Sequence, residues 1–384
     1  MPGLFSDFQL KDVRLRNRIA ISPMTQYSCG TDGIMNDWHL VHLGARAAGG
    51  AGLVVMEQLA VSPEGRMTPN CAGIWSDEQI PMLRRIADFI RSTGAVPGVQ
   101  LGHSGRKGGI TPPWDGYAQL PEDHPDGWES IGPSTIPYGG ARFPRAARAA
   151  DLQDIERLKG DFARGAERAL RAGFEWVELH YAHGFLGANF LSPMANDRTD
   201  AYGNSSENRA RFLHETLEAV RAVWPERLPL TARIGAFDYH EDSHTIEESI
   251  ELVRGMAARG LDLIDISMGM NSDSGKAVPW TERGFMVPAA TRIRQETALP
   301  VAVSWNLADP AYADALIRED QVDLVMLGRP TIANPHWPLY AALVLGQDAP
   351  YDMLPIQYGH ALKRTRDEVN CGGFGPIPAR QASR

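Results

Sequence analysis

Eight short apolar runs, each followed by polar-interrupted or helix-patterned sequence, constrain this chain more than any other feature. They cover residues 19–22, 53–57, 96–101, 176–180, 230–235, 263–267, 301–304 and 324–328. In most of them apolar residues sit on consecutive positions, as strands covered on both faces require. Between them lie candidate helices at 37–48, 76–92, 152–172, 206–223, 245–258, 288–296 and 310–319. This alternation predicts an α/β chain closed as a (β/α)8 TIM barrel. The competing architecture, an open doubly wound sheet, calls for a glycine-rich dinucleotide turn after an early strand, and G-x-G-x-x-G occurs nowhere in the chain. At 384 residues the length would allow two or three domains, but barrels run this long as one. One interval is too long for a simple connection. Residues 103–150 are dense in Gly and Pro, yet carry Trp114, Tyr117, Trp128 and Tyr138, which predicts an ordered capping insertion rather than a linker.

The most informative stretch is 178–212, ELHYAHGFLGANFLSPMANDRTDAYGNSSENRARF. His180 falls where the fourth strand should end, and His183 lies three residues on, in what reads as a Gly- and Asn-rich loop. Three readings compete: satisfied core histidines, a zinc site, or a hydrogen-bonding pair that grips a polar ligand. The zinc reading is poor, because the metalloprotease motif wants histidines four apart on a helix with Glu between them, whereas Tyr181 and Ala182 separate these two.

The other strand ends decide among them, since chemistry in such a barrel collects where the strands finish. Those ends carry Pro23, Met24, Thr25, Gln26 and Tyr27, then Glu57 and Gln58, then Gln100 and His103. The fifth and sixth carry Arg233 and Ser267-Met268-Gly269; the last two carry Ser304-Trp305-Asn306 and Gly328-Arg329. The set holds no Ser-His-Asp arrangement and no paired carboxylates for glycoside cleavage. Gln, Thr, His and Arg suit a flat heteroaromatic ring with carbonyls, and Gly328-Arg329 occupy the fold's usual phosphate position. Ring and phosphate together point to flavin mononucleotide (FMN), with Arg233 placed to favour an anionic reduced ring.

Composition excludes several classes. A net charge of −9 argues against a nucleic-acid partner. No apolar run approaches a membrane span, the first residues lack a signal-peptide core, and three widely spaced cysteines, at 29, 71 and 371, suit a reducing cytoplasm. The expected partner is a small-molecule substrate, and the expected location cytoplasmic.

From about residue 4 to 364 the chain resembles the Old Yellow Enzyme family of FMN-dependent NAD(P)H oxidoreductases, nearest to its bacterial xenobiotic reductase branch. The likeness is carried by NRIAISPMTQY, EGRMTPNCAGIWSDEQI, QLGHSGRK, ELHYAHGFLGANFLSPMANDRTDAYG, ENRARF and LGRP. It implies one FMN-binding barrel over 1–366 and a C-terminal tail over 367–384. It implies flavin contacts from Pro23, Met24, Thr25, Gln58, Gln100, Arg233, Ser304, Trp305, Gly328 and Arg329. It further implies that His180 and His183 bind and polarise the substrate oxygen, that Tyr27 and Phe185 line the substrate cavity, that no metal is used, and that the protein forms a homodimer. Hydride would pass from NAD(P)H through the flavin to α,β-unsaturated carbonyls, quinones or nitro compounds.

Three departures stand out. Thr25 replaces the cysteine usual in this branch, so flavin tuning by a thiolate is absent. Phe185 replaces the tyrosine that protonates the substrate carbon; Tyr181 is no substitute, since an extended segment turns it away from both histidines, so the catalytic proton is expected from water or from Tyr27. Ala361 stands where relatives reach an aromatic across a dimer interface. Other classes compatible with the strand ends are a metal-dependent hydrolase using His103, His180 and His183, and a non-catalytic flavin-binding protein.

Overall fold

The computed structural model describes residues 2–121, 123–272 and 278–364. Its centre is a closed barrel of parallel strands, labelled here β1 (Ile19–Ile21), β2 (Leu53–Ala60), β3 (Val96–Gly102), β4 (Trp176–Tyr181), β5 (Leu230–Gly235), β6 (Leu263–Ser267), β7 (Val301–Val303) and β8 (Leu324–Leu327). β8 pairs with β1 in parallel, and the strands follow chain order around the ring. Every residue of these strands is buried, which explains why their sequences are apolar on consecutive positions. The (β/α)8 expectation therefore holds.

The outer layer comprises α1 (Asp37–Ala48), α2 (Ile80–Ser92), α3 (Leu152–Arg171), α4 (Leu186–Leu191), α5 (Ser206–Arg221), α6 (Ile246–Ala257), α7 (Val287–Thr297), α8 (Pro310–Arg318), α9 (Arg329–Ala333), α10 (Trp337–Val344) and α11 (Ile356–Arg364). α3 shows the logic. Asp151 and Asp154 form a capping box at its start, and Ile155, Leu158, Phe162, Ala166 and Ala169 recur at helical spacing to form its buried face.

Some elements were not foreseen. A hairpin of Phe8–Leu10 and Val13–Leu15 precedes the barrel, and Asp12 in its turn donates to the carbonyl of Arg227, just before β5 begins, so the hairpin covers the end opposite the strand C-termini. After β8 the chain adds α9, α10 and α11, where no helix was expected. The expected loop after His183 instead turns into α4. β2 runs three residues beyond its expected end at Glu57, through an irregularity between Met56 and Gln58. The tail at 367–384 lies outside the described residues.

Strand register gathers the polar side chains. Gln58 is opposite Gln100, Gln100 opposite Glu178, His180 opposite Arg233 and Arg233 opposite Asp265. Side chains two apart share a face, so Glu178 and His180, and likewise Asp265 and Ser267, point the same way, into the barrel. Tyr181 points the other way, its ring 6.3 Å from Phe162 on α3, as its position predicted.

Residues from 103–150 pack beside residues that follow the strand ends. Ile110, Tyr138 and Phe143 form a small apolar cluster with Met67, Cys71 and Phe185, against which Tyr27 and Tyr117 pack. Tyr117 and Tyr138 meet Phe143 edge-on, with centroids 5.5 and 4.9 Å away. Among the described residues no helix is long and apolar enough to cross a membrane.

Candidate active site

Two adjoining cavities open at the C-terminal ends of the strands. The larger, about 520 Å³, is lined by Pro23, Met24, Ser304, Gly328 and Arg329 among others. The smaller, about 220 Å³, lies under the insertion and is lined by Thr25, Tyr27, Gln58, Gln100, His180 and Phe185. Pro23, His183, Arg233 and Trp305 line both, so the two are continuous. Every residue expected to contact flavin or substrate thus lines one space, although they come from seven of the eight strand ends; Gln26, Glu57 and Ser267-Met268-Gly269 lie outside its lining. So does His103. It is fully buried, accepts from the Gly105 amide, and answers to the charges of Glu64 and Arg157. The three-histidine arrangement of the hydrolase reading is therefore not formed.

Beneath the cavities lies a buried charge cluster. Arg233 binds Asp265 through Nε (2.6 Å) and Nη2 (2.5 Å), and Nη2 also donates to Ser22 at 3.0 Å. Glu178 stands 3.8 Å from Arg233 Nε and accepts from the Gln100 amide at 2.7 Å. Burial opposes the charge on Arg233, but Asp265 and Glu178 outweigh it and raise its pKa. Burial also raises Glu178, to about 8, against the pull of Arg233. Burial raises Asp265 too, against the pull of Arg233, so the two carboxyls and the guanidinium titrate as one set.

Above it stand the imidazoles. His180 and His183 meet edge-on with centroids 5.0 Å apart, and Phe185 meets His180 at 4.9 Å. Burial, followed for His180 by the neighbouring His183 and for both by Arg233 and Lys107, holds their pKa values well below the usual imidazole range. Both are therefore neutral, each with one N–H to donate. The His183 backbone is left-handed (φ 59°) and held on both sides: its N–H donates to the Met268 carbonyl at 3.1 Å, and its carbonyl accepts from Lys107 Nζ at 2.6 Å. Gly184 is required next, since a Cβ there would lie 2.2 Å from the Met270 carbonyl oxygen. Asn189 of α4 reaches back to hold the Gly184 carbonyl at 2.9 Å. Left-handed non-glycine residues recur around the cavity at Tyr27, Met270, Trp305 and Asn306, the clustering expected where strain serves function.

The donor set suits a flat ring rich in carbonyls and ring nitrogens. Gln58 Oε1 and His180 Nδ1 are buried without a protein partner while their side chains line the smaller cavity, so each awaits a ligand atom. Pro23 and Trp305 supply flat apolar walls. The Arg329 guanidinium is 6.0 Å from the Trp305 ring, at the rim of the larger cavity where a phosphate would emerge. These residues fit FMN. Among the described residues no group of three or more His, Cys, Asp or Glu is placed to hold a metal.

Sequence reasoning passed over several residues at this site: Lys107, Met270, Asp265 and Glu178. For the last two a signal existed, a carboxylate set within an otherwise apolar strand. For Lys107 there was none, because its partner at His183 is 76 positions away.

Comparison with known proteins gives a consistent picture. The profile of the NADH:flavin oxidoreductase / NADH oxidase family matches residues 3–345. An NADPH dehydrogenase of Geobacillus sp. (strain WCH70) is 40% identical over 348 residues, 89% of this chain and 94% of the relative. Among solved structures, morphinone reductase in complex with tetrahydroNAD superposes with a TM-score of 0.74 at 28% identity, over 90% of this chain and 91% of that one. A 2-naphthoyl-CoA reductase complex gives 0.81 at 27% identity, over 92% of this chain but 53% of that longer one.

Proposed function

The chain belongs to the NADH:flavin oxidoreductase / NADH oxidase family, the Old Yellow Enzyme group of FMN-dependent, NAD(P)H-oxidising enzymes, and from that premise we propose an ene-reductase-type activity with an altered balance of acceptors. Electron-poor alkenes such as α,β-unsaturated carbonyls, and quinones or nitro compounds, are the acceptors in this reading. The observation that carries it is the pair of neutral, desolvated imidazoles at His180 and His183, 5.0 Å apart beside Phe185, over a cavity lined by Gln58, Gln100 and Arg233.

When bound, FMN supplies the hydride relay between NAD(P)H and acceptor. The chain's own residues do the rest. Thr25, Gln58, Gln100 and Arg233 would hold the ring's polar edge, and Pro23, Met24 and Trp305 its faces. Ser304, Gly328 and Arg329 would take the ribityl phosphate. His180 and His183 donate to the acceptor's carbonyl or nitro oxygen, an interaction that strengthens as negative charge gathers there. Being neutral, they do so without surrendering a full proton. Tyr27 and Phe185 bound the acceptor space. Phe185 has no proton to give, and burial pushes the Tyr27 hydroxyl well above the usual phenol range, so neither protonates a substrate carbon readily. Acceptors that take charge onto oxygen are therefore favoured over those needing a carbon-bound proton. A cytoplasmic homodimer belongs to the same proposal, with α11, which carries Ala361, lacking the aromatic reach of relatives.

The test is anaerobic and in two halves. NADPH should bleach the flavin's visible absorbance, and a quinone should restore it faster than cyclohexenone does. A yellow protein that NADPH leaves unbleached would overturn the reading.

A further inference from the structure

His183 Nε2 lies 2.7 Å from Ser267 Oγ, and the same oxygen receives the Trp305 indole N–H at 2.9 Å. Ser267 ends β6 and is completely buried. These contacts restrict where protons can sit. An indole nitrogen only donates, so Trp305 spends its N–H on one lone pair of Ser267. A hydroxyl has one proton and two lone pairs. Were His183 to donate from Nε2 as well, both lone pairs would be filled and the hydroxyl proton would be left without an acceptor, since His183 and Trp305 are the partners Ser267 Oγ has among the described residues. Were Ser267 to donate to an unprotonated Nε2, the serine proton and both contacts to its oxygen would be satisfied.

We infer that Ser267 is a positioning residue which, with Trp305, fixes His183 as the Nδ1–H tautomer, so that the ring nitrogen left for the acceptor oxygen is the one that carries the proton. The hydrogen bonds then run head to tail: indole N–H to serine oxygen, serine O–H to Nε2, Nδ1–H outward. Aligned donors of this kind polarise one another, and the positive end of the row is presented where negative charge develops. The ring cannot exchange roles between its nitrogens without leaving the buried serine proton unpaired, and its backbone is held independently through Met268 and Lys107. His180 differs: its Nδ1 is buried with no protein partner, so its tautomer is left to the ligand. The inference rests on the proposed reading only in what it says about the acceptor oxygen; the tautomer itself does not.

Nitrogen-15 NMR of the FMN-loaded protein reads the tautomer without turnover. His183 should show Nδ1 protonated and Nε2 bare. Ser267→Ala should move it towards the Nε2–H form or a mixture, and should weaken binding of phenol, a probe for the acceptor oxygen, by about tenfold. Ser267→Cys keeps the size but donates weakly, and should fall between. Trp305→Phe should loosen the tautomer less than Ser267→Ala. An Nε2–H signal in the parent, or an Ala variant with both tautomer and phenol affinity unchanged, overturns the inference. A correct tautomer in a protein that NADPH does not bleach sinks the functional reading and leaves this one standing.

Discussion

Lys107 Nζ donates to the main-chain carbonyl of His183 at 2.6 Å while lying 4.2 Å from the centre of the Tyr138 ring. A residue 76 positions away thus holds the His183 backbone in its left-handed conformation. Lys107→Met should keep the barrel and the flavin but let His183 relax. Hydrogen bonds from charged donors contribute about 1.5–3 kcal/mol, so kcat/KM for a quinone should fall about 10- to 100-fold. Stopped-flow oxidation of the reduced enzyme measures this, and an unchanged rate would show that the clamp is idle.

Among the described residues Arg233 is the one cation paired with Asp265, at 2.5–2.6 Å, and it also stands 3.8 Å from Glu178. Removing one partner of a buried ion pair costs about 3–5 kcal/mol, because the other charge stays buried. Arg233→Met should therefore lower stability by that order and shed FMN together. Arg233→Lys offers a point charge in place of a fork, too compact to serve Asp265 and Ser22 at once. It should stay folded by circular dichroism yet release FMN on dialysis. Retention of flavin by the Lys variant would contradict the role assigned to the guanidinium.

Why the barrel could be read from sequence and parts of the site could not follows from the range of the contacts. Runs such as 53–57 and 230–235 announce strands because burial on both faces forces apolar residues onto consecutive positions. Once eight such strands close in order, their ends must converge, and residues as distant as Thr25, His180 and Arg329 share a cavity wall by topology alone. The N-terminal hairpin stayed hidden because three residues per strand are too few to show a period. α4 stayed hidden because Gly184 and Gly187 read as loop, although Leu186, Phe190 and Leu191 are buried at helical spacing. The clamp by Lys107 and the tether through Ser267 span 76 and 84 positions, and nothing local signals either.

Glu57 makes a prediction about pH. It is fully buried 3.5 Å from His39 Nε2 and accepts from the Gln26 main-chain N–H at 3.1 Å, and burial raises its carboxyl to about 8. A carboxyl raised in the folded state binds its proton more tightly there than when unfolded. It therefore gives full stability below its unfolded pKa and loses it as pH rises to about 8, by at most about 1.4 kcal/mol per pH unit. Glu57→Gln removes the titration and keeps an acceptor for Gln26. The melting temperature of the variant should gain on the parent steadily from acid pH to about 8 and then level off. A difference that is flat with pH would mean that Glu57 is ionised throughout.

Phe185 carries the sharpest functional consequence. Its ring packs edge-on against His180 at 4.9 Å and belongs to the apolar cluster under the insertion. A tyrosine would place a hydroxyl at the end of that ring at the cost of burying one polar atom. A positioned general acid contributes about 100- to 10,000-fold. Phe185→Tyr should therefore speed reoxidation of the reduced enzyme by cyclohexenone about 100-fold while changing the quinone rate less than about threefold. The contrast between acceptors matters more than either rate, because a general change in cavity shape would move both together. If the alkene rate stays where it is, the missing proton is already supplied from elsewhere, and the argument from this side chain fails.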